Sequence, residues 1–434
     1  MSPHIPSGDD RAKRVPKRED YCQPVVQFPA SSDNYEMNTT SLTSTIATAR
    51  WVKVGRSVNS DPVAAATEAL AGCVTMDVKP SLVVVFADHR YELDCLAETI
   101  FIGAGRCEMI GCTTAGEIAS DGSGPSGVVI AAFGGDGFSV ATVAAEEASS
   151  GMRDAGRVAA SAVAALSHPR ENTILLTFTD TFAGDQQEVL RGIYHELGAA
   201  VPVVGGCAGD DLEMKRTYQF HNGRVLTDAV VAAALSSDGE FGIGVSHGWT
   251  TVGEPMTVTA NEGTVLLELD SRPALDVYLE RNQLTRAITE DAAEFTRFAM
   301  RHPLALARHA GEPLVRFLTG ACPKSGGLKA LAAIPEGANV WLMTGDEETV
   351  LGATHAACDE AFAAISTPPQ GVLVFDCVTR RDMLGTVGVQ REVDVIAESA
   401  GAAPIAGFFT YGEIARTHGI NGFHHETLVV LAVG

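Results

Sequence analysis

Two glutamates, Glu117 and Glu413, hold the same place in two copies of one short motif. Gly111-Cys-Thr-Thr-Ala-Gly-Glu-Ile-Ala119 aligns with Gly407-Phe-Phe-Thr-Tyr-Gly-Glu-Ile-Ala415 at a constant offset of 296, and six of nine positions are identical. A glycine ahead of each glutamate lets the backbone turn tightly and approach a ligand. If the two copies face one cleft, their carboxylates can receive an ammonium group or serve as a general acid and base. The plain alternative is that each glutamate caps a backbone turn within its own copy. Thr114, Thr410 and Tyr411 bring hydroxyls to the same turns, and Cys112 brings a thiol.

A third, degenerate copy reads Gly205-Gly-Cys-Ala-Gly-Asp-Asp211. Asp210 and Asp211 could bind a hard cation together with backbone oxygens, but two carboxylates are few ligands, and an Asx-turn or solvated role competes. Arg380 and Arg381 follow an apolar strand ending in Phe375-Asp376-Cys377. Ligands of open α/β sheets bind beyond strand carboxyl ends, where Arg380 could grip a carboxylate with two parallel hydrogen bonds. Its alternative is a surface ion pair.

Cys112, Cys207 and Cys377 all fall at motif positions; as nucleophiles they need a lowered pKa and a base, and otherwise they are small buried hydrophobes. His418, His424 and His425 form the densest histidine group and are the candidates for haem iron or a metal. His424 and His425 are adjacent, so in a strand they face opposite sides. Two short matches are set aside. Gly122-Ser-Gly-Pro-Ser-Gly127 leads into a strand where a dinucleotide fingerprint needs a helix, and no helix follows Gly244-Val-Ser-His-Gly248.

The elements around these residues alternate. Apolar runs at 81–86, 128–133, 173–178, 229–235, 371–375 and 427–433 read as buried strands. Stretches 187–197 and 349–364 carry helical periodicity, and a long helical segment is expected over about 273–317. The class is α/β: repeated strand-helix-strand-strand units, from an internal duplication, forming two pseudo-symmetric layered lobes. Residues 1–48 are too polar to offset their ordering entropy and read as a disordered tail, with Met37 an alternative start.

A formal net charge of −23 opposes nucleic acid and anionic membrane surfaces. No apolar run is long enough to span a bilayer, and the N-terminus shows no signal peptide. Nine cysteines without a Cys-x-x-Cys pair suit a reducing cytoplasm better than a disulfide framework.

With these motifs the chain resembles the FIST family, named for F-box and intracellular signal transduction proteins. The resemblance rests on the two long motifs, Val204-Gly-Gly-Cys-Ala-Gly-Asp-Asp211, Phe220-His-Asn-Gly223, Gly248-Trp249, Ile334-Pro-Glu-Gly337 and Phe375-Asp-Cys377, and it spans roughly residues 50–434. It departs at Phe423-His424-His425, where the family pattern reads Phe-His-Asn. It implies a FIST N domain (49–270) and a FIST C domain (271–434) acting as a cytoplasmic sensory input. Family members are proposed to bind small ligands such as amino acids, and one branch binds haem and senses nitric oxide. The expected function is therefore a small-ligand sensor signalling to a separate partner protein. Haem-based sensing and an enzyme using a motif cysteine or the paired carboxylates are the alternatives.

Overall fold

The computed structural model describes residues 49–74, 79–124, 127–307, 313–416 and 422–434. The N-terminal tail and His418 lie outside the described residues.

One order of elements is written three times: strand, helix, strand, helix, strand, hairpin, strand. The first copy runs through Trp51–Ser57, Pro62–Cys73, Pro80–Ala87, Leu93–Gly103, Glu108–Thr113, the hairpin Glu117–Ala119 with Gly122–Gly124, and Val128–Gly134. The second uses Phe138–Ala145, Met152–Ala164, Asn172–Thr179, Gln186–Leu197, Val203–Cys207, the hairpin Gln219–His221 with Arg224–Leu226, and Val230–Ser237. The third uses Phe241–Ser246, Glu347–Ala363, Gly371–Cys377, Val378–Ala400, Ile405–Thr410, the hairpin Glu413–Arg416 with Phe423–His424, and Leu428–Val433. The α/β class and its repeated units are those expected from the sequence. The duplication inferred from two long motifs is a triplication, with the degenerate copy as a full member.

Pairing within each repeat is the same. The last strand lies antiparallel between the first and second strands, and the second and third strands run parallel. The hairpin then leaves its own sheet. Glu117–Ala119 adds to the third repeat, Glu413–Arg416 to the second, and Gln219–His221 to the first. Each repeat thus completes its neighbour's sheet and the cycle closes on itself. This covers sheet edges that would otherwise stand unpaired.

The first glycine of each motif copy has a packing cause. A Cβ at Gly111, Gly205 or Gly407 would sit 2.1, 1.9 or 2.1 Å from the carbonyl oxygen of Val85, Thr177 or Val374. Only a residue without a side chain lets the parallel strands approach this closely. On the inner face the equivalent rings of Phe86, Phe178 and Phe375 meet, with centroids 5.5, 6.3 and 5.9 Å apart, all fully buried. Phe408 stacks on Phe86 at 4.8 Å. Phe86 meets Phe178 and Phe375 edge to face, and such aromatic pairs stabilise beyond the area they bury.

Residues 250–344 form an insertion between the first strand and first helix of the third repeat, with strands around its own core of Met256, Tyr278, Phe295, Leu304 and Leu342. A continuous helix over 273–317 does not form. Ala274–Arg281 stops short of Gln283, which takes a left-handed φ of 57°, and Ala292–Ala299 starts afresh on the Asp291 cap. Beyond Pro303 the apolar run Leu304–Leu306 pairs as a strand with Asn339–Thr344. Pairing with that strand outweighs the local helical pattern. The two discarded motifs stay discarded: Gly122–Gly124 is a strand, and Gly244 lies within Phe241–Ser246, which is followed by the strand Thr250–Glu262.

Candidate functional site

The three motif turns interlock. The Phe409 amide donates to the Gly116 carbonyl at 2.8 Å and the Ala115 amide to the Phe409 carbonyl at 3.0 Å. Cys207 donates to Gly412 at 2.8 Å and Tyr411 to Cys207 at 3.2 Å, while Gly209 donates to Thr113 at 2.9 Å. Each turn therefore fastens the end of the parallel strand in the neighbouring repeat.

The motif carboxyls sit inside these junctions. Glu117 lies opposite Phe408 and Glu413 opposite Gly206; the register place they share is taken in the remaining junction by Gln219, opposite Cys112. Thr114 donates to Glu117 at 2.5 Å and the Gly127 amide does so at 3.0 Å. Thr410 likewise donates to Glu413, which also accepts from the Thr427 amide at 3.1 Å and its hydroxyl at 2.7 Å. Burial pushes Glu117 up to about 8 and Glu413 up to about 7, against the lowering effect of these hydrogen bonds. Gln219 is fully buried and its amide atoms have no partner. The second repeat carries Ala208 where the others have Thr114 and Thr410, so the hydroxyl that would hold the amide is missing. Sequence alignment missed Gln219 because residues 208–218 lengthen this turn.

Asp210 organises that longer turn. It accepts from the amides of Met214 at 2.9 Å, Lys215 at 2.7 Å and Arg216 at 3.0 Å, and from the Tyr411 hydroxyl at 2.6 Å. The pKa of Asp210 is lowered: partial burial opposes the shift, and the hydrogen bonds from Tyr411 and the loop amides outweigh it. Tyr411 in turn accepts from the Leu212 amide at 2.6 Å. Thr114, Thr410, Tyr411, Asp210 and both glutamates are thus brought to one ring of turns, engaged with protein partners.

Arg380 and Arg381 part company. Arg380 is fully buried, donating to Asp376 at 2.7 Å, the His247 carbonyl at 2.9 Å, Thr354 at 2.9 Å and Glu392. Arg381 instead donates to Asp211 at 2.9 Å and to the Ala115 carbonyl, with its guanidinium 5.8 Å from the Phe409 ring centre. Together Arg381, Asp211, Phe409 and Gly116 line a cavity of about 760 Å³, completed by Asp382, Gln390 and Arg391. The helix carrying them breaks at Gly385, φ 61°, beside this cavity. It is a mixed-charge pocket against an aromatic face, directly next to the first motif. The sequence points to both doublets and favours Asp210 and Arg380, but nothing in a doublet of arginines or aspartates says which member faces outward.

Cys112, Cys207 and Cys377 are buried, and desolvation raises all three thiols, Cys207 to about 12. His424 shares a hydrogen bond of 3.0 Å with the Ala415 carbonyl. His425, pointing elsewhere, lines a separate cavity of about 320 Å³. Among the described residues no group of three His, Cys, Asp or Glu side chains is arranged to hold a metal ion, and no helix is long and apolar enough to cross a membrane.

Residues 81–272 match the FIST N domain and residues 274–416 the FIST C domain. An uncharacterised protein of Mycobacterium tuberculosis (strain ATCC 25618 / H37Rv) is 29% identical over 231 residues, 52% of this chain and 59% of that one. One from Methanocaldococcus jannaschii is 28% identical over 180 residues, 40% of this chain and 34% of its own length. The chain thus spans little more than half of the mycobacterial relative it matches. Among solved structures, cyanuric acid hydrolase from A. caulinodans aligns at 12% identity over 44% of this chain and 71% of that one, with a TM-score of 0.25, too low to support an argument. Both domain matches lie in order along one chain and cover the motif turns, so the chain belongs to the FIST family, a FIST N domain followed by a FIST C domain.

Proposed function

We propose that this protein is a sensor for a small zwitterionic metabolite such as an amino acid, held in the 760 Å³ cavity and reported to a separate partner protein. FIST domains are sensory domains of signal transduction, which supports the general role. The observation that carries the ligand class is the pairing of Arg381 and Asp211, 22% and 29% exposed at the side chain, on one wall of that cavity. A carboxylate entering there exchanges Asp211 for itself on the guanidinium, and the freed Asp211 with Asp382 receives the ammonium group. Phe409 offers an apolar face to the rest of the molecule.

A panel of amino acids in a thermal-shift measurement on the full chain tests the reading. A ligand at about a hundred times its Kd stabilises by roughly 2.7 kcal/mol, a plain rise in Tm. A panel that leaves Tm unmoved sinks it. The cysteine-nucleophile alternative gains no support from thiols held protonated by burial. The haem alternative retains His425, whose ring borders the smaller cavity, as its candidate among the described residues. Adding hemin and following the Soret band tests it directly.

A further inference from the structure

The smaller cavity, about 320 Å³, lies where three parts of the chain meet. Met300, Phe317 and Leu331 come from the insertion, Tyr411 and His425 from the third repeat, and Leu212 and Met214 from the long turn of the second. Its walls are largely aliphatic, aromatic and thioether, with Thr181, Thr296, Thr319 and Thr379 among them. His425 is their one imidazole, and it is 1% exposed. Neither of its ring nitrogens has a partner at full hydrogen-bond geometry, and a weak backbone contact with Val315 can engage only one of them. Burial, together with the charge of Arg316 and the neighbouring His424, holds its pKa well below the ordinary histidine value. The ring is therefore neutral and offers one donor and one acceptor.

An unpartnered polar group in such a place costs about 1–3 kcal/mol, and native proteins rarely leave one without a reason. The rim adds a second oddity. Leu212 and Met214 are 41% and 57% exposed and both adopt left-handed backbone, φ 66° and 53°. Asp210 and Tyr411 hold that turn in shape and thereby display two apolar side chains at the cavity mouth. Leu331, 36% exposed, adds a third. A volume near 300 Å³ and mostly apolar walls with few polar groups, of which the Thr181, Thr319 and Tyr411 hydroxyls already donate within the protein, are the features of a small-molecule pocket.

We propose that this cavity is a second binding site, separate from the charged one, for a small uncharged apolar molecule carrying a hydroxyl or carbonyl group that hydrogen-bonds to His425. A phenol-like or short-chain alcohol skeleton fits the chemistry; a zwitterion does not, because its charges would be stripped of water against apolar walls.

Fluorescence titration of the full chain with 2-naphthol, and with naphthalene as the analogue lacking the hydroxyl, tests the site. Saturable binding of both is expected, with 2-naphthol roughly tenfold tighter for its one hydrogen bond. His425→Phe keeps naphthalene binding and removes the preference, while His425→Gln, which keeps a donor and an acceptor, retains part of it. Leu331→Trp and Thr319→Phe fill the pocket from the insertion side and abolish binding of both probes, with circular dichroism showing that each variant is folded. Two of these substitutions are near the surface, so the test does not depend on one variant. Binding that never saturates, filled-pocket variants that bind as wild type does, or a hydroxyl preference that survives His425→Phe each overturn the proposal.

Discussion

Tyr411 donates its hydroxyl hydrogen to Asp210 across 2.6 Å, joining residues 201 apart in the chain. The same oxygen accepts from the Leu212 amide, so one phenol holds the long turn of the second repeat against the motif of the third. That turn carries Asp211 toward the charged cavity and Leu212 and Met214 toward the apolar one. Tyr411→Phe keeps the ring and deletes the anchor. The expected loss is about 1–3 kcal/mol in urea unfolding, with faster hydrogen exchange at Leu212. Unchanged exchange at that amide would show that the turn holds itself.

Arg380 and Arg381 are adjacent, yet their substitutions should separate cleanly. Arg380→Met strands Asp376 and Glu392 in the interior and should cost about 3–5 kcal/mol. Arg381→Gln should cost less than about 1 kcal/mol, because its ion pair is partly solvated, while abolishing any amino-acid-induced rise in Tm. An Arg381→Gln protein that still responds to the same amino acid places the ligand elsewhere.

Stability should fall as pH rises through the neutral range. Glu117 and Glu413 have folded-state pKa values raised by burial to about 8 and about 7, from an ordinary 4.5. Between the ordinary value and the raised ones the folded chain binds more protons than the unfolded chain. The stability is therefore full below about 4.5 and is lost as pH climbs toward 8. Glu117→Gln and Glu413→Gln, which mimic the protonated forms, should flatten this decline when urea midpoints at about pH 5 and 8.5 are compared. A decline of equal steepness in the double variant refutes the assignment.

Gln219 makes a contrasting case. Its buried amide has no partner, so Gln219→Met removes two unpaired polar atoms at similar volume. The change should be neutral or stabilising by up to about 1 kcal/mol in chemical denaturation. A substantial loss would reveal a partner that the static geometry lacks.

Much of this molecule is local. Short apolar runs bounded by glycine and proline mark the second and last strands of all three repeats, and the helices at Gln186–Leu197 and Glu347–Ala363 follow their periodicity to within a few residues. The motif glycines are likewise legible, since a tight strand approach demands glycine whatever surrounds it. The exception is the span 273–317, where a helical pattern yielded to pairing with a distant strand.

Sequence alone therefore determined the α/β class, the alternation of strands and helices and the recurrence of the motif, because hydrophobic period and backbone chemistry act over a few residues. Tertiary structure decided which sheet each hairpin joins, that Gln219 stands where Glu117 and Glu413 stand, and that Arg381 and not Arg380 borders a cavity. Register between strands far apart in the chain sets the first two, and the longer turn at 208–218 hides the match from any fixed spacing. The third follows from helix geometry: successive side chains point about 100° apart, and only packing against the neighbouring repeats tells which of them turns inward.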